Sequence, residues 1–434
     1  MSNCPFRFVH AADFHLELPP FGVADVPPHL RDLFLESAYL AAERVFETVL
    51  SEEAGFLVLS GDLLDPRRTG PRGFLFLAEQ FGRLTERDIS VYWAGGNVDP
   101  PDAWPAAVRL PENVCVFPQG RPEEHVHQRD GTPLARVMGT SRGRSGGKKG
   151  SGPICRNGPT NLRSVPGASH KLDLTPFSPD PAGLFSIAVV HGSAEAAALE
   201  ARGIDYWALG GSHARHTLFG SPHVAHYPGS PQGRQPKESG PHGCTLVQVD
   251  SQRRARTTLV PTDLLRWQTE RIVVEESTTR DDLETLLHGR MQALVESASG
   301  MDLLVSWTVL GSGPLLARLR QGAVAEELLE RLRAQYGLGP PAAWSLSLSV
   351  EPTAVLPPEW YEQQTIRGDF LREVRHFQMN PSEPLDLEPY LADEHLAGTL
   401  AHVAQVPDRA TRERVLREAA VLGIDLLSGE EPEP

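Results

Sequence analysis

The sequence is poor in cysteine. Its four cysteines lie far apart along 434 residues and form no CxxC pair: Cys4, Cys115, Cys155 and Cys244. Disulfide frameworks and zinc knuckles need cysteines that are more numerous or more closely spaced, so the sequence favours neither. We therefore predict a protein of a reducing, cytoplasmic compartment.

Long apolar runs are also missing. No stretch reaches the ~18 apolar residues that a membrane-spanning helix needs. The first residues, MSNCPFRFVHAAD, do not place a basic segment before an apolar run, so they do not resemble a signal peptide. We expect a soluble protein with no membrane partner.

Positive charge is in deficit. The sequence has 41 lysines and arginines against 56 aspartates and glutamates, which gives a formal net charge of −15. Proteins that bind nucleic acid mainly through phosphate contacts are usually basic, so the overall balance argues against DNA binding by the whole surface. It does not exclude a DNA-cutting site, because bound metal ions or grouped basic residues supply positive charge locally.

Length and composition predict several domains. With 40% hydrophobic and 22% charged residues, a chain of this size is typical of a globular protein with two or three domains. We predict a first domain over residues 1–262 and a small α/β cap module over 268–352. A helical C-terminal region over 353–434 follows, available to a partner and ending in a disordered acidic tail.

Short apolar strands alternate with helices in the first domain. We predict strands at 6–12, 56–60, 90–94, 186–190 and 205–209, helices at 32–53 and 73–86, and hairpins around Asp130-Gly131 and across 244–260. The cap module repeats the alternation, with strands at 271–275, 303–310 and 345–350 and helices at 280–297 and 324–336. This pattern predicts an α/β layered fold, in which sites form at the carboxyl ends of strands.

One segment, residues 139–169, is rich in glycine, serine, proline and basic residues. Its cations are Arg142, Arg144, Lys148, Lys149, Arg156 and Arg163. The composition is typical of a flexible surface loop. The alternative is a basic arm that touches the nucleic-acid backbone.

Polar motifs follow the predicted strands in a fixed order. They are Asp13-Phe14-His15, Gly61-Asp62, Gly96-Asn97-Val98-Asp99, His191 and His213. Each motif alone is weak, because an aspartate at a strand end is usually a turn or cap residue. The series as a whole offers carboxylate, amide and imidazole ligands, which suit divalent ions such as Mn²⁺, Fe²⁺ or Zn²⁺. Asp62, on the central strand, is the natural bridge between two ions.

The series resembles the pattern of calcineurin-like metallophosphoesterases, DxH…GDxxD…GNH[DE]…H…GHxH. Within that superfamily the sequence is most similar to SbcD-type DNA repair exonuclease subunits. The segments that carry this similarity are residues 10–15 (HAADFH), 60–65 (SGDLLD), 205–210 (DYWALG) and 227–234 (YPGSPQGR). The similarity covers about residues 5–260, and it implies a layered sandwich of two mixed sheets flanked by helices. Residues 270–434 resemble the small cap and helical tail of that family.

The resemblance also implies a site for two divalent metal ions, Mn²⁺ first and Fe²⁺, Zn²⁺ or Mg²⁺ as alternatives. It implies that Asp13, His15, Asp62 and His213 hold one ion, and that Asp62, Asn97 and His191 hold the other. A water activated by both ions would attack the phosphorus in line. Asn97 and Asp99 are then catalytic positions. Ser230, Gln232 and Arg234 are substrate-binding positions, although residues 228–234 are equally compatible with a structural loop.

Two positions depart from the family pattern. Val98 stands where the family has a histidine that steadies the transition state or protonates the leaving oxygen, and loss of a general acid costs ~10²–10⁴-fold in rate. Gly211 stands where the family has a ligand of the second ion, which leaves that ion three protein ligands. His216 could substitute for it only through a local shift of the chain.

These observations lead to one function and two alternatives. The first is a metal-dependent phosphodiesterase that resembles a DNA repair exonuclease subunit, with an SbcC-type ATPase as a partner of the C-terminal helices and a homodimer left open. The second is a phosphodiesterase on non-DNA substrates. The third, suggested by Val98 and Gly211, is a catalytically weakened metal-binding scaffold that positions DNA or a partner.

Overall fold

The computed structural model describes ten stretches of the chain. They are residues 4–23, 26–105, 107–143, 172–275, 277–298, 300–311, 314–352, 358–383, 385 and 409–427. Most of the basic segment 139–169 lies outside the described residues, and so does the acidic tail. The predictions of a flexible loop, a basic arm and a disordered tail therefore stay predictions.

Fifteen strands are formed by the described residues. They are β1 Phe6–Ala11, β2 Phe56–Leu59, β3 Ser90–Trp93, β4 Val114–Val116, β5 Glu123–Arg129, β6 Thr132–Gly139, β7 Phe185–His191, β8 Tyr206–Gly210, β9 His216–Phe219, β10 Val224–Tyr227, β11 Gly243–Val249, β12 Ala255–Pro261, β13 Leu265–Val274, β14 Asp302–Gly311 and β15 Ala343–Pro352.

The α-helices of the described residues are α1 Arg31–Ser51, α2 Gly70–Thr85, α3 Ala196–Glu200, α4 Arg280–Ser297, α5 Pro314–Arg320, α6 Ala323–Tyr336, α7 Pro358–Glu362, α8 Ile366–Met379 and α9 Arg409–Leu427. Two short 3-10 helices precede α1 and follow β3, at Pro28–Leu30 and Pro101–Ala103. Among the described residues, no helix is both long and apolar enough to cross a membrane.

Two six-stranded mixed sheets form the first part of the fold. The first has the order β12-β11-β1-β2-β3-β4, with β1 to β4 parallel and β11 antiparallel to β1. The second has the order β5-β6-β7-β8-β10-β9, with its four inner strands parallel. Parallel neighbours place their carboxyl ends at the same edge of a sheet, which is where such folds form sites.

The core lies in three apolar layers because successive residues of a strand point to opposite faces. On β2, Leu57 and Leu59 pack under α1 and α2 with Phe46 and Phe81, whereas Phe56 and Val58 face the second sheet. The outer face of the second sheet packs Trp207 and Leu209 against Leu199 of α3. Both faces of the inner strands are therefore buried, which is why their sequences read as continuous apolar runs.

The chain divides into two compact units. The first contains Met1–Gln268, Ala298–Leu304 and Leu338–Ala342, and the second contains Thr269–Ser297, Val305–Gly337 and Ala343–Pro434. A three-stranded sheet has the order β13-β14-β15. In the second unit, α8 packs on α9 through Leu371, Val374, Leu416, Ala420 and Ile424.

The predicted fold class is confirmed: two mixed sheets flanked by helices, a small sheet and C-terminal helices. The hairpins at Asp130-Gly131 and across 244–260 are present as β5–β6 and β11–β12. The strands β4, β9 and β10 and the helix α5 were not predicted, because three- or four-residue strands and a seven-residue helix carry too short a periodic signal. The division at 262, 268 and 353 stays a prediction.

Candidate metal centre

The motif residues lie just after the carboxyl ends of parallel strands or at them. Asp13 follows β1, Asp62 follows β2 and Asn97 follows β3, while His191 ends β7 and His213 follows β8. The strand order of the two sheets brings these loops to one edge of the sandwich. Residues far apart in sequence are thus neighbours.

Two groups of side chains offer ligand atoms close enough for metal ions. The first cluster is Asp13, His15 and His213, and the second cluster is Asp13, Asp62 and His191; within each, the ligand atoms lie within 4.8 Å of one another. Asp13 belongs to both. Asp62 Oδ2 lies 3.3 Å from His191 Nε2 and 3.8 Å from His15 Nε2, so this carboxylate also stands between the two clusters. Two adjoining clusters are consistent with a dinuclear metal site.

The backbone is held in an uncommon conformation at three of these residues. Asp13, His15 and Asp62 have φ angles of 58°, 46° and 57°, in the left-handed region that few non-glycine residues adopt. Hydrogen bonds between the two loops maintain it: Asp13 N–H donates to Gly61 O at 2.9 Å and His15 N–H to Asp62 O at 3.1 Å. Such strain costs of order 1–3 kcal/mol per residue and is concentrated at functional sites.

Hydrogen bonds at Nδ1 orient the three histidines. His191 Nδ1 donates to Ser60 O at 2.8 Å, so in the neutral ring Nε2 carries the lone pair, and it faces Asp62. His213 Nδ1 lies 3.0 Å from Glu238 Oε1. Outer partners of this kind fix the tautomer of metal-binding histidines.

Glu17 does the same for His15. Its Oε1 lies 3.4 Å from His15 Nδ1, and its Oε2 accepts the Asp65 N–H at 2.9 Å. Sequence reasoning missed both Glu17 and Glu238, since neither belongs to a motif. Glu17 lies only two residues beyond His15, and that proximity was the one signal available for it.

The donor set fits a bound cation. Asp13 Oδ1 and His15 Nε2 are buried and have no hydrogen-bond partner among the described residues. A buried acceptor left unpaired costs free energy, and a cation between these two atoms would remove that cost. Mixed oxygen and imidazole ligands suit Mn²⁺, Fe²⁺ or Zn²⁺.

The charges at the second cluster are strongly coupled. Burial alone would raise the pKa of Asp62, but His191 and His15 outweigh it and hold that pKa well below its usual range. Burial would lower the pKa of His191, but Asp62 and Asp13 raise it to about 9. Burial raises the pKa of Asp13. A metal ion that binds His191 must displace a proton, so metal binding at this cluster releases protons near neutral pH.

The Asp99 carboxylate links the loop that carries Asn97 to the loop that carries Asp62. Its Oδ1 accepts the N–H groups of Gly96 at 2.6 Å and Asp62 at 2.9 Å, and its Oδ2 accepts that of Leu63 at 2.9 Å. Burial, followed by the charge of Asp62, raises the pKa of Asp99 to about 6. Glycine is required at 96, because a Cβ there would lie 2.3 Å from Asp62 Oδ1. These contacts make Asp99 a positioning group, and its catalytic role stays a prediction.

Asn97 contacts the second cluster through its amide nitrogen. Asn97 Nδ2 lies 3.1 Å from His191 Nε2, while its Oδ1 accepts a hydrogen bond from Arg142 Nη1 at 2.7 Å. The oxygen that would bind a metal ion therefore faces a guanidinium. Sequence reasoning had noted Arg142 only as one cation of the basic segment.

Val98 and Gly211, the two positions that depart from the family pattern, both lie beside the second cluster. Val98 is half-buried, and its N–H donates to Asp62 Oδ1 at 2.9 Å. Gly211 has a φ of 96°, and a Cβ there would lie 3.1 Å from His191 Nε2, so a side chain at 211 would point to the second cluster. His216 does not take its place: its Nδ1 lies 3.0 Å from Ala214 O, and its ring stacks on Tyr227 with centroids 4.4 Å apart.

Of the three predicted substrate-binding residues, Arg234 contacts the side chain of a cluster residue, whereas Ser230 contacts the main-chain oxygen of His213. Ser230 and Gln232 are buried in the loop: Ser230 Oγ donates to Gln232 O at 3.1 Å, and Gln232 Nε2 donates to Leu265 O at 2.6 Å. Arg234 Nη2 lies 2.9 Å from both ring nitrogens of His213. An atom equally far from both nitrogens lies off the in-plane lone pair of each, so this contact leaves the His213 lone pair able to bind a metal ion.

Comparison with known proteins supports the metal-dependent class. No family model matches the chain. The chain is 27% identical over 357 residues to the uncharacterized metallophosphoesterase YhaO of Bacillus subtilis (strain 168), an alignment that covers 79% of this chain and 81% of that protein. The name of that protein gives a class and no substrate. The chain is thus similar to a metallophosphoesterase over most of its length, and it carries two candidate histidine and aspartate metal sites.

Proposed function

We propose that the protein is a metal-dependent phosphodiesterase that hydrolyses DNA, as SbcD-type exonuclease subunits do, with Mn²⁺ as its metal. The observation that carries the proposal is the pair of clusters that share Asp13. Three imidazoles and two carboxylates converge there, and two of the acceptor atoms are buried without a hydrogen-bond partner among the described residues. Fe²⁺, Zn²⁺ and Mg²⁺ are alternative ions for the same ligands.

The metal ions and the protein side chains would contribute differently to the reaction. Two divalent ions supply a Lewis acid for the phosphoryl oxygens and a water of lowered pKa. The protein contributes carboxylates fixed by left-handed backbone and imidazoles fixed by Glu17, Glu238 and Ser60 O. Arg234, buried beside His213, adds a permanent positive charge near the first cluster.

DNA is proposed as the substrate on the strength of the sequence motifs and of the positive charge that bound metal ions would supply at the site. With a net charge of −15, the rest of the molecule repels a polyanion, so contact with DNA would be limited to the few phosphates nearest the site. We therefore expect DNA binding to require the metal ions and to depend only weakly on salt, with a slope set by a small number of phosphate contacts.

A second function, a metal-binding scaffold with little activity, is favoured by a specific observation. Val98 and Gly211 remove two functional groups from the second cluster, and Asn97 Oδ1 is bonded to Arg142. In this alternative the first cluster binds a metal ion and positions DNA or a partner without cleaving it.

Hydrolysis of bis-p-nitrophenyl phosphate with Mn²⁺ separates these functions. We expect the wild type to be active, Asp13→Asn to be inactive and Val98→His to be faster, because the new imidazole can protonate the leaving oxygen. Asp88→Asn, at an exposed turn with a φ of 56°, is the matched control. If neither the wild type nor Val98→His is active with any divalent ion, the enzyme proposal is wrong and the scaffold remains.

The substrate is tested with a 5′- or 3′-labelled DNA duplex in the same buffer. Shortened products that require Mn²⁺ and disappear in Asp13→Asn would support the DNA assignment. Activity on the small diester without any DNA product would instead assign the protein to non-DNA phosphodiesters.

We further propose that the helices of residues 353–434 bind an SbcC-type ATPase, with a homodimer of this chain as the alternative. The supporting observation is the α8–α9 pair, which has its own apolar core and leaves Ile366, Met379 and Leu422 exposed. The mass of the purified protein in solution, with and without such an ATPase, tests both assignments. A monomer that forms no complex would contradict them.

A further inference from the structure

A guanidinium lies at the side of the site where the family pattern is incomplete. Arg142 follows β6, and its backbone N–H donates to Gly95 O at 2.9 Å. The adjoining Ser141 is buried, and its Oγ accepts the Gly95 N–H at 2.8 Å. Residues 141 and 142 are thereby tied to the loop that carries Asn97 and Val98.

The side chain of Arg142 is held as well. Its Nε donates to His191 O at 3.0 Å and its Nη1 to Asn97 Oδ1 at 2.7 Å. The guanidinium lies against Gly192, where a Cβ would approach Nη2 to 2.6 Å. Asn97 and His191, two of the residues that the guanidinium contacts, belong to the second half of the predicted metal site.

This placement gives the second cluster a positive charge that the family motifs do not provide. Arginine stays protonated at every relevant pH, and its planar fork matches the oxygens of a phosphate. On the same side, Val98 can neither donate a hydrogen bond nor carry charge through its side chain, and Gly211 has no side chain. A phosphate at the second cluster would meet the guanidinium where other family members present a histidine.

We propose that Arg142 is a phosphate-binding residue of this site, which contacts the non-bridging oxygens of the substrate beside the second cluster and takes over charge stabilisation at the side of Val98. The proposal rests on the proposed function. Arg142 also orients Asn97, so that a phosphate drawing the guanidinium toward itself would release Asn97 Oδ1 toward the metal ligands.

The test is calorimetric titration of inorganic phosphate into the full-length, Mn²⁺-loaded protein, with bound manganese counted by elemental analysis in every sample. Hydrogen bonds to charged groups predict that Arg142→Ala weakens phosphate binding about 10–100-fold. Arg142→Lys should fall between it and the wild type, because it keeps the charge and loses the fork. The control is Arg121→Ala, an exposed arginine that lines a separate surface pocket with Pro122 and Glu124.

The outcomes separate this proposal from the proposed function. Weaker phosphate binding in Arg142→Ala at unchanged manganese content supports a phosphate contact, whether or not the wild type cleaves any diester. Unchanged phosphate affinity, or a loss of affinity that parallels a loss of bound manganese, would overturn it. A wild type that binds no phosphate would overturn it too, whereas a wild type that binds phosphate and hydrolyses nothing would contradict only the proposed function.

Discussion

The two clusters of the metal centre differ in what supports their histidines. In the first cluster, His15 and His213 each have a carboxylate at Nδ1, from Glu17 and Glu238. In the second, the partner of His191 Nδ1 among the described residues is the main-chain carbonyl of Ser60. A carboxylate partner raises the basicity of an imidazole ligand more than a neutral carbonyl does. The first cluster should therefore bind its ion more tightly, and substitutions that act on one cluster should leave the other measurable.

The largest effect is expected where the clusters meet. Asp62→Asn keeps the shape and the left-handed backbone, which asparagine tolerates, but removes the charge that lies within 4 Å of both His15 and His191. Phosphodiesterase activity with Mn²⁺ should fall by ~10³-fold, as it does when a group that stabilises developing charge is removed.

Asp130→Asn is the control for that substitution, since Asp130 has a similar φ of 53° in an exposed hairpin turn. Activity should be unchanged there. Comparable losses in the two variants, or no loss in Asp62→Asn, would mean that the clusters are not the reacting centre.

Removing one imidazole from each cluster in turn tests directly whether the two clusters bind Mn²⁺ separately and with different affinities. His15→Asn should weaken the tighter Mn²⁺ site by more than ~10²-fold, and His191→Asn should abolish the weaker site and spare the tighter one. Mn²⁺ titration of each variant by calorimetry measures both. Equal losses at both sites from either variant would show that the clusters do not bind ions separately.

Removing a carboxylate partner should also lower the Mn²⁺ affinity of one cluster, by a smaller factor. Glu238 has a side chain that is 8% exposed and pairs with His213, and although burial would raise its pKa, His213 and Arg234 lower that pKa to about 2. Glu238→Gln should weaken Mn²⁺ binding at the first cluster 10–100-fold and leave the second unchanged. Glu43→Gln, on the half-buried outer side of α1, is a control that should alter neither site.

The smallest effect concerns the buried network beneath His191. Ser60 Oγ lies 2.8 Å from His10 Nε2, and the nearby His226 lies 2.8 Å from Thr217 and Thr245 hydroxyls. Burial lowers the pKa of His226 to about 3 and that of His10 well below its usual value. Well above pH ~6.5 neither the folded nor the unfolded state protonates these rings, so they add no pH dependence to the free energy of unfolding there.

Below that pH, His10 and His226 bind protons in the unfolded state but stay neutral in the folded state. The free energy of unfolding should therefore fall by about 1 kcal/mol per pH unit for each ring between pH ~6.5 and the folded pKa. Urea unfolding of the wild type and His226→Gln at pH 7.5 and 5.5 measures it, and the variant should lose less stability on acidification. His29→Gln, at an exposed position, should behave like the wild type. An identical pH dependence in His226→Gln would show that His226 is protonated in the folded state.

The sequence predicted the layers of the fold and the place of the site, but not the backbone conformation of the ligands or all of the groups that support them. Apolar strands that end in Asp13, Asp62 and His191 indicated both the layers and the edge where the site forms, because parallel strands align their ends. The left-handed backbone at Asp13, His15 and Asp62 could not be predicted, since aspartate and histidine adopt it only when neighbouring loops enforce it. Glu238 comes from a loop that only the fold brings to His213, and no local pattern marks it.

The measurement that tests the central claim most directly is the number of Mn²⁺ ions bound by the wild-type protein and their separate affinities, followed by calorimetry and by electron paramagnetic resonance. Two adjoining clusters with unequal support predict two ions per chain, the first bound more tightly, with spin coupling between them when both sites are filled. A chain that binds no ion, or two distant ions without coupling, would contradict a dinuclear centre built on Asp13.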